Sequence, residues 1–84
     1  MKIEFYKSAL CPRCMLVAYV LKKLTAKHPD LEIEQIEVIT CPNKARKAGV
    51  RLIPTLKINN DKLSGIILTP TMVREFILKH LFAR

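Results

Sequence analysis

The order of three neighbouring segments restricts this chain more than anything else in it. A short alternating run, Lys2-Ile3-Glu4-Phe5-Tyr6, is followed by Cys11-Pro12-Arg13-Cys14 and then by an apolar stretch from Cys14 to Leu21. Ile3 and Phe5 share one face of the first segment and Glu4 and Tyr6 the other, which is the period of a strand. Val17, Val20, Leu21 and Leu24 recur at helical spacing in the last. Pro12 suits the first helical turn, where its missing N–H leaves nothing unpaired. Two thiols therefore sit at a strand-to-helix junction. Cysteines at i and i+3 are neighbours on one helical turn, close enough for a redox disulfide, for half of a metal site or for plain packing.

Size and composition narrow the background. At 84 residues, half of them hydrophobic, the chain suits one small domain over residues 1–84 with a real core. Gly numbers only 2 and no repeat or low-complexity tract is present, which excludes a loop-rich scaffold or a disordered chain. Met1-Lys2 runs directly into Ile3-Glu4-Phe5 without an apolar leader segment. The apolar run ending at Leu21 falls far short of the roughly 20 residues that span a membrane. The expected setting is the cytoplasm, with no membrane and a monomeric chain. There, three cysteines do not form a structural disulfide framework.

The remaining chain reads as alternating elements. His28-Pro29-Asp30 stops the first helix, and Lys22, Lys23 and Lys27 lie late in it, where cations suit the helix dipole. Leu31–Ile39 is a second strand whose alternation slips: Leu31 and Ile33 hold one phase, Ile36 and Val38 the other. With three glutamates as well, it reads as an edge strand. Pro42 to Ala48 forms a short helix closed by Gly49. Thr55–Asn59 and Lys62–Ile67 are strands joined by a turn at Asn59-Asn60-Asp61. Thr69 caps and Pro70 opens a last helix whose stripe is Val73, Phe76, Ile77 and Leu81. The order β-α-β-α-β-β-α predicts an α/β fold: a parallel βαβ half, an antiparallel hairpin, and a four-stranded mixed sheet with helices on both faces.

The position of the cysteines assigns them chemistry. A helix N-terminus carries partial positive charge and unpaired N–H groups, which stabilise a thiolate. This favours Cys11 as the nucleophile. Cys14, one turn in and nearer the apolar body, is the resolving thiol. Arg13 adds a fixed cation and Pro12 stiffens the turn.

A strand, Cys11-Pro12-Arg13-Cys14, a helix and a distant Ile53-Pro54-Thr55 together resemble the thioredoxin-fold superfamily, nearest its small glutaredoxin-like or minimal thioredoxin-like dithiol oxidoreductases. The resemblance covers essentially the whole chain. It implies a thiol-disulfide oxidoreductase with no cofactor beyond its own redox-active Cys11–Cys14 disulfide and no metal. It also implies a cis Ile53–Pro54 bond, which turns the Ile53 backbone outward to pair with an extended substrate. Gly65, after Ser64, resembles the family glycine that faces the site. The implied partners are a disulfide-containing protein and a reductant, either glutathione or a thioredoxin-reductase-type enzyme. The glutaredoxin Gly-Gly-x-x-Asp grip is absent: Ser64-Gly65-Ile66-Ile67-Leu68-Thr69 stands in its place with no acidic residue. No Asp/Lys pair stands where thioredoxins carry one behind the disulfide.

Other readings remain open on the residues alone. Zinc normally takes four protein ligands, and Cys11, Cys14 and Cys41 supply three. A copper(I) chaperone also carries CxxC after its first strand, but in a β-α-β-β-α-β order. A thioredoxin-like adaptor without catalysis would need no intact Cys11-Pro12-Arg13-Cys14. Cys41 precedes Pro42 as Cys11 precedes Pro12, and parallel strands would bring both to one pole of the sheet. Cys41 is therefore a candidate secondary thiol, against the plainer reading of an incidental N-cap residue. Lys plus Arg exceeds Asp plus Glu by 15 to 7, a net +8. Arg13, Lys44, Arg46, Lys47 and Arg51 are expected near the thiol pole, which suits an acidic protein partner. Without interleaved aromatic and basic residues, nucleic acid is disfavoured.

Overall fold

The computed structural model describes residues 1–65 and 68–82. The elements are β1 (Lys2–Lys7), α1 (Pro12–Lys27), β2 (Glu32–Glu37), α2 (Pro42–Lys47), β3 (Thr55–Ile58), β4 (Asp61–Ser64) and α3 (Pro70–Phe82). The last strand ends at Ser64; the part of the expected strand at Ile66 and Ile67 lies outside the described residues.

The strands form one sheet in the order β2-β1-β3-β4. β1 pairs in parallel with β2, from Lys2 opposite Glu32 to Lys7 opposite Glu37. Its other side pairs antiparallel with β3, and β3 with β4. The mixed four-stranded sheet and the edge position of β2 match the sequence expectation. The hairpin turns at Asn59-Asn60, between Ile58 and its partner Asp61. Asn59 adopts φ 56°, a left-handed value that asparagine tolerates.

Both faces of the sheet are covered, and this explains the slipped alternation of β2. The larger core joins Ile3, Phe5, Leu56 and Ile58 to Val17, Leu21 and Leu24 of α1 and to Val73, Phe76 and Ile77 of α3. Ile33 packs against it, while Leu81 is only half-buried at its edge. A smaller cluster on the other face joins Tyr6, Ile36 and Ala45, with Val38 and Val50 beside them. Leu31 and Ile33 thus face α1 and α3, whereas Ile36 and Val38 face α2. One strand serves two cores in succession, each asking for opposite parity.

The helix ends follow their residues. The His28 N–H donates to the Leu24 carbonyl at 2.9 Å and closes α1. At α2 the Gly49 N–H reaches the Arg46 carbonyl at 3.0 Å and the Val50 N–H reaches that of Ala45 at 2.9 Å. Gly49 has φ 75°, the left-handed stop that glycine permits. The Thr69 hydroxyl accepts the Met72 N–H at 3.2 Å, the N-cap expected for α3.

Candidate active site

Cys11 is the N-cap of α1 and Pro12 its first helical residue. The loop that delivers them is tied by Ser8. Its carbonyl accepts the Cys11 N–H at 3.1 Å and its hydroxyl accepts the Leu10 N–H at 3.2 Å. The Cys14 N–H donates to the Cys11 carbonyl at 3.1 Å, tightening the first turn. Both sulfurs are thereby placed in the main core: Cys11 is 6% exposed and Cys14 1%. Pro12 and Arg13 face solvent between them. All three cysteines of the chain are free thiols.

The two thiols are unequal. Burial pushes the Cys11 thiol up, but it is outweighed. The Cys14 thiol and N–H hydrogen-bond to it, and the Arg13 guanidinium and N–H add to them, so Cys11 is held below its ordinary 9.0. Burial pushes Cys14 up as well, and there its hydrogen bond to Cys11 adds to that, raising it to about 11. A helix start that stabilises negative charge thus serves one sulfur and leaves its neighbour protonated.

A second segment closes on this core. The Ile53–Pro54 peptide bond is cis. Ile53 packs against the cluster that contains Cys11 and Cys14, and Pro54 is fully buried. Thr55, which had no assigned role in the sequence reading, holds this turn. Its buried hydroxyl donates to the Leu52 carbonyl and shares a 2.8 Å hydrogen bond with the Ser64 hydroxyl. Thr55 and Ser64 are also register partners, and Gly65 follows directly on the end of β4. Of the sequence candidates, Cys11, Cys14 and Ile53 share one cluster, with Pro12 and Arg13 at its surface.

Cys41 stands apart. It is the exposed N-cap of α2, and its N–H donates to the Glu37 carbonyl at 2.8 Å. Because β1 and β2 run in parallel, Lys7 and Glu37 end at the same sheet edge, and both cysteine-bearing loops leave from there. They continue onto opposite faces, Cys11 into the core of α1 and α3, Cys41 toward the α2 side. Glu37, another residue the sequence reading did not single out, joins the loops. Its carboxylate accepts the Ala9 N–H at 2.7 Å and the Ile39 N–H at 3.3 Å. A carboxylate at a strand terminus, among orphan loop N–H groups, was the available signal. Lys44, expected with the thiols, instead pairs with Glu34, which also holds Lys2. Among the described residues, no three His, Cys, Asp or Glu side chains converge on a possible metal. No described helix is long and apolar enough to cross a membrane.

Comparison with known proteins gives a consistent answer. The family model described as Thioredoxin matches residues 1–74. The thioredoxin of Methanocaldococcus jannaschii is 38% identical over 61 residues, 71% of this chain and 72% of that protein. Among solved structures, thioredoxin 1 from the thermophilic eubacterium Thermosipho africanus TCF52B superposes with a TM-score of 0.80 at 26% identity, covering 96% of this chain and 94% of its own. Fasciola hepatica thioredoxin superposes with a TM-score of 0.81 at 25% identity, covering 94% and 79%.

Proposed function

As the chain belongs to the thioredoxin family and is a dithiol-disulfide oxidoreductase, we propose that Cys11 attacks the substrate disulfide and Cys14 resolves the product. The Cys11 thiolate attacks one sulfur of the substrate. A Cys11–substrate disulfide forms, the substrate S–S bond breaks, and the first substrate sulfur leaves as a thiolate that takes a proton from water. Cys14 then loses its proton and attacks the Cys11 sulfur, so the mixed disulfide breaks and the second substrate thiol departs. Two electrons pass from the dithiol to the substrate, leaving the Cys11–Cys14 disulfide. A reductant, glutathione or a thioredoxin-reductase-type enzyme, restores the dithiol.

The observation that supports this order is the opposed pair of shifts, Cys11 held down and Cys14 pushed up. A low-pKa thiol is ionised for attack, and a protonated buried neighbour does not compete with it. Pro12, Arg13, Ile53, Pro54 and Gly65 shape the surface the substrate meets, and a disulfide-bearing protein is the substrate class. A reducing compartment, the cytoplasm, is the matching location.

The test is trapping. With a disulfide-bearing protein, Cys14→Ser accumulates a mixed disulfide through Cys11, seen as a mass adduct removed by dithiothreitol. Cys11→Ser accumulates none. An adduct formed by Cys11→Ser through Cys14 reverses the assignment.

A further inference from the structure

The charges of this chain are unevenly spread. Among the described residues, the carboxylates of Glu4, Glu34, Glu37 and Asp61 take up Lys57, Lys2 with Lys44, Lys7, and Lys79 with His80. α1 carries four cations and no acid. Its Lys23 and Lys27, with Arg74 of α3, pair with no carboxylate among the described residues. They rim a groove of about 480 Å³ between the two helices. Leu16, Val20 and Leu24 line it along α1 and Pro70 along α3, and no acidic residue does. From Leu16 to Lys27 it follows about 16 Å of helix axis.

The ridge beside this groove is apolar where a solvated helix would be polar. Met15, Leu16 and Tyr19 are 69%, 48% and 57% exposed. They lie at i, i+1 and i+4, on one side of α1. The Lys23 ammonium sits 4.7 Å from the Tyr19 ring centroid, a cation placed over the apolar ridge. Large exposed apolar side chains bordered by charge of one sign mark an interaction surface.

We propose that the α1–α3 groove docks an acidic amphipathic helix of a protein partner. Two helices side by side present a channel whose ridges accept a third helix. Leucine-type residues of the partner would cover Leu16, Val20 and Tyr19, and its carboxylates would meet Lys23, Lys27 and Arg74. The groove starts beyond the first turn of α1 and runs away from Cys11. It is therefore separate from the surface that a disulfide must reach, and the dithiol chemistry does not depend on it.

The probe is a synthetic helix-forming peptide about four turns long, leucine on one face and glutamate on the other, titrated into the full 15N-labelled chain. Amide shifts should concentrate at Leu16, Tyr19, Lys23 and Arg74, and added salt should weaken binding. The double variant Lys23→Glu/Arg74→Glu should bind the peptide at least about tenfold more weakly. Its exchange with a small aromatic disulfide should stay within about twofold of the parent, because neither residue is near the thiols. The same peptide with lysine in place of glutamate is the control. The proposal is overturned if millimolar peptide produces no shifts, if they centre on Leu10 and Leu52, or if the lysine peptide binds equally well. It is also overturned if phosphatidylglycerol vesicles bind through Lys23 and Arg74 while the peptide does not, which would make the groove a lipid surface. Loss of disulfide exchange in the double variant would refute the separateness of groove and thiols. In the parent chain, intact exchange without peptide binding would sink the groove alone.

Discussion

The chain contains the same short opening twice, Cys11-Pro12 before α1 and Cys41-Pro42 before α2. Both cysteines are N-caps with proline next, and both leave the sheet at the end where Lys7 and Glu37 are paired. Three residues on, the two starts part. The first has Cys14, buried and hydrogen-bonded to Cys11; the second has Lys44, drawn away to Glu34. α1 runs for 16 residues over the main core, whereas α2 runs for 6 over a smaller one. Ile53 packs against the core that holds Cys11 and Cys14, and its neighbour Pro54 is buried. A cysteine at a helix N-terminus is thus only a beginning. In the proposed mechanism it is the i+3 partner and the burial that make Cys11 one half of a working pair.

The sharpest way to break this contrast is to remove each thiol in turn. Cys11→Ser should reduce disulfide exchange by about 10³-fold or more. Cys41→Ser should leave it within about twofold. A large loss in Cys41→Ser would show that the two starts cooperate. A smaller effect is expected at the residue they share. In Glu37→Ala both carboxylate acceptors are lost, costing about 2 kcal/mol in urea unfolding. Amide hydrogen exchange should quicken at both Ala9 and Ile39. Quickening at one alone would mean that the loops are held separately.

The smallest effect lies in alkali. Cys14 has a folded pKa of about 11, above its ordinary 9.0, so the folded state favours its protonated form. That contribution to stability is fully present below pH 9 and is lost as pH rises through about 11. The reduced protein should lose thermal stability across this window, and Cys14→Ser should flatten the fall. An equal fall in Cys14→Ser would assign it to other groups.

Local pattern carried most of the architecture. Pro12, Gly49, Thr69 and Pro70 marked helix ends that the structure reproduces, and the alternation at Ile3 and Phe5 put β1 in the core. The phase slip between Ile33 and Ile36 was visible, but its cause was not. Parity along one strand says nothing about how many faces of the sheet will be covered. Thr55 was beyond reach for a different reason, and Glu37 offered only its place at a strand terminus. Ser64 and Ala9, their partners, are 9 and 28 residues away, and hydrogen bonds at such separations leave no periodic trace. Lys44 shows the converse error: nearness to a helix start suggested the thiols, whereas a carboxylate in mid-strand claimed it.

The strand order also bears on how the chain is made. β1 is an inner strand, flanked by β2 and β3. A ribosome therefore releases the middle of the sheet first and its second neighbour only when residues 55–58 emerge. Through that interval β1 can pair with β2 alone, which leaves its other edge bare. Ile3 and Phe5, wholly enclosed at the end, have only part of their cover. Until β3 is made the nascent chain carries an open strand edge, the kind of surface that invites pairing with another chain.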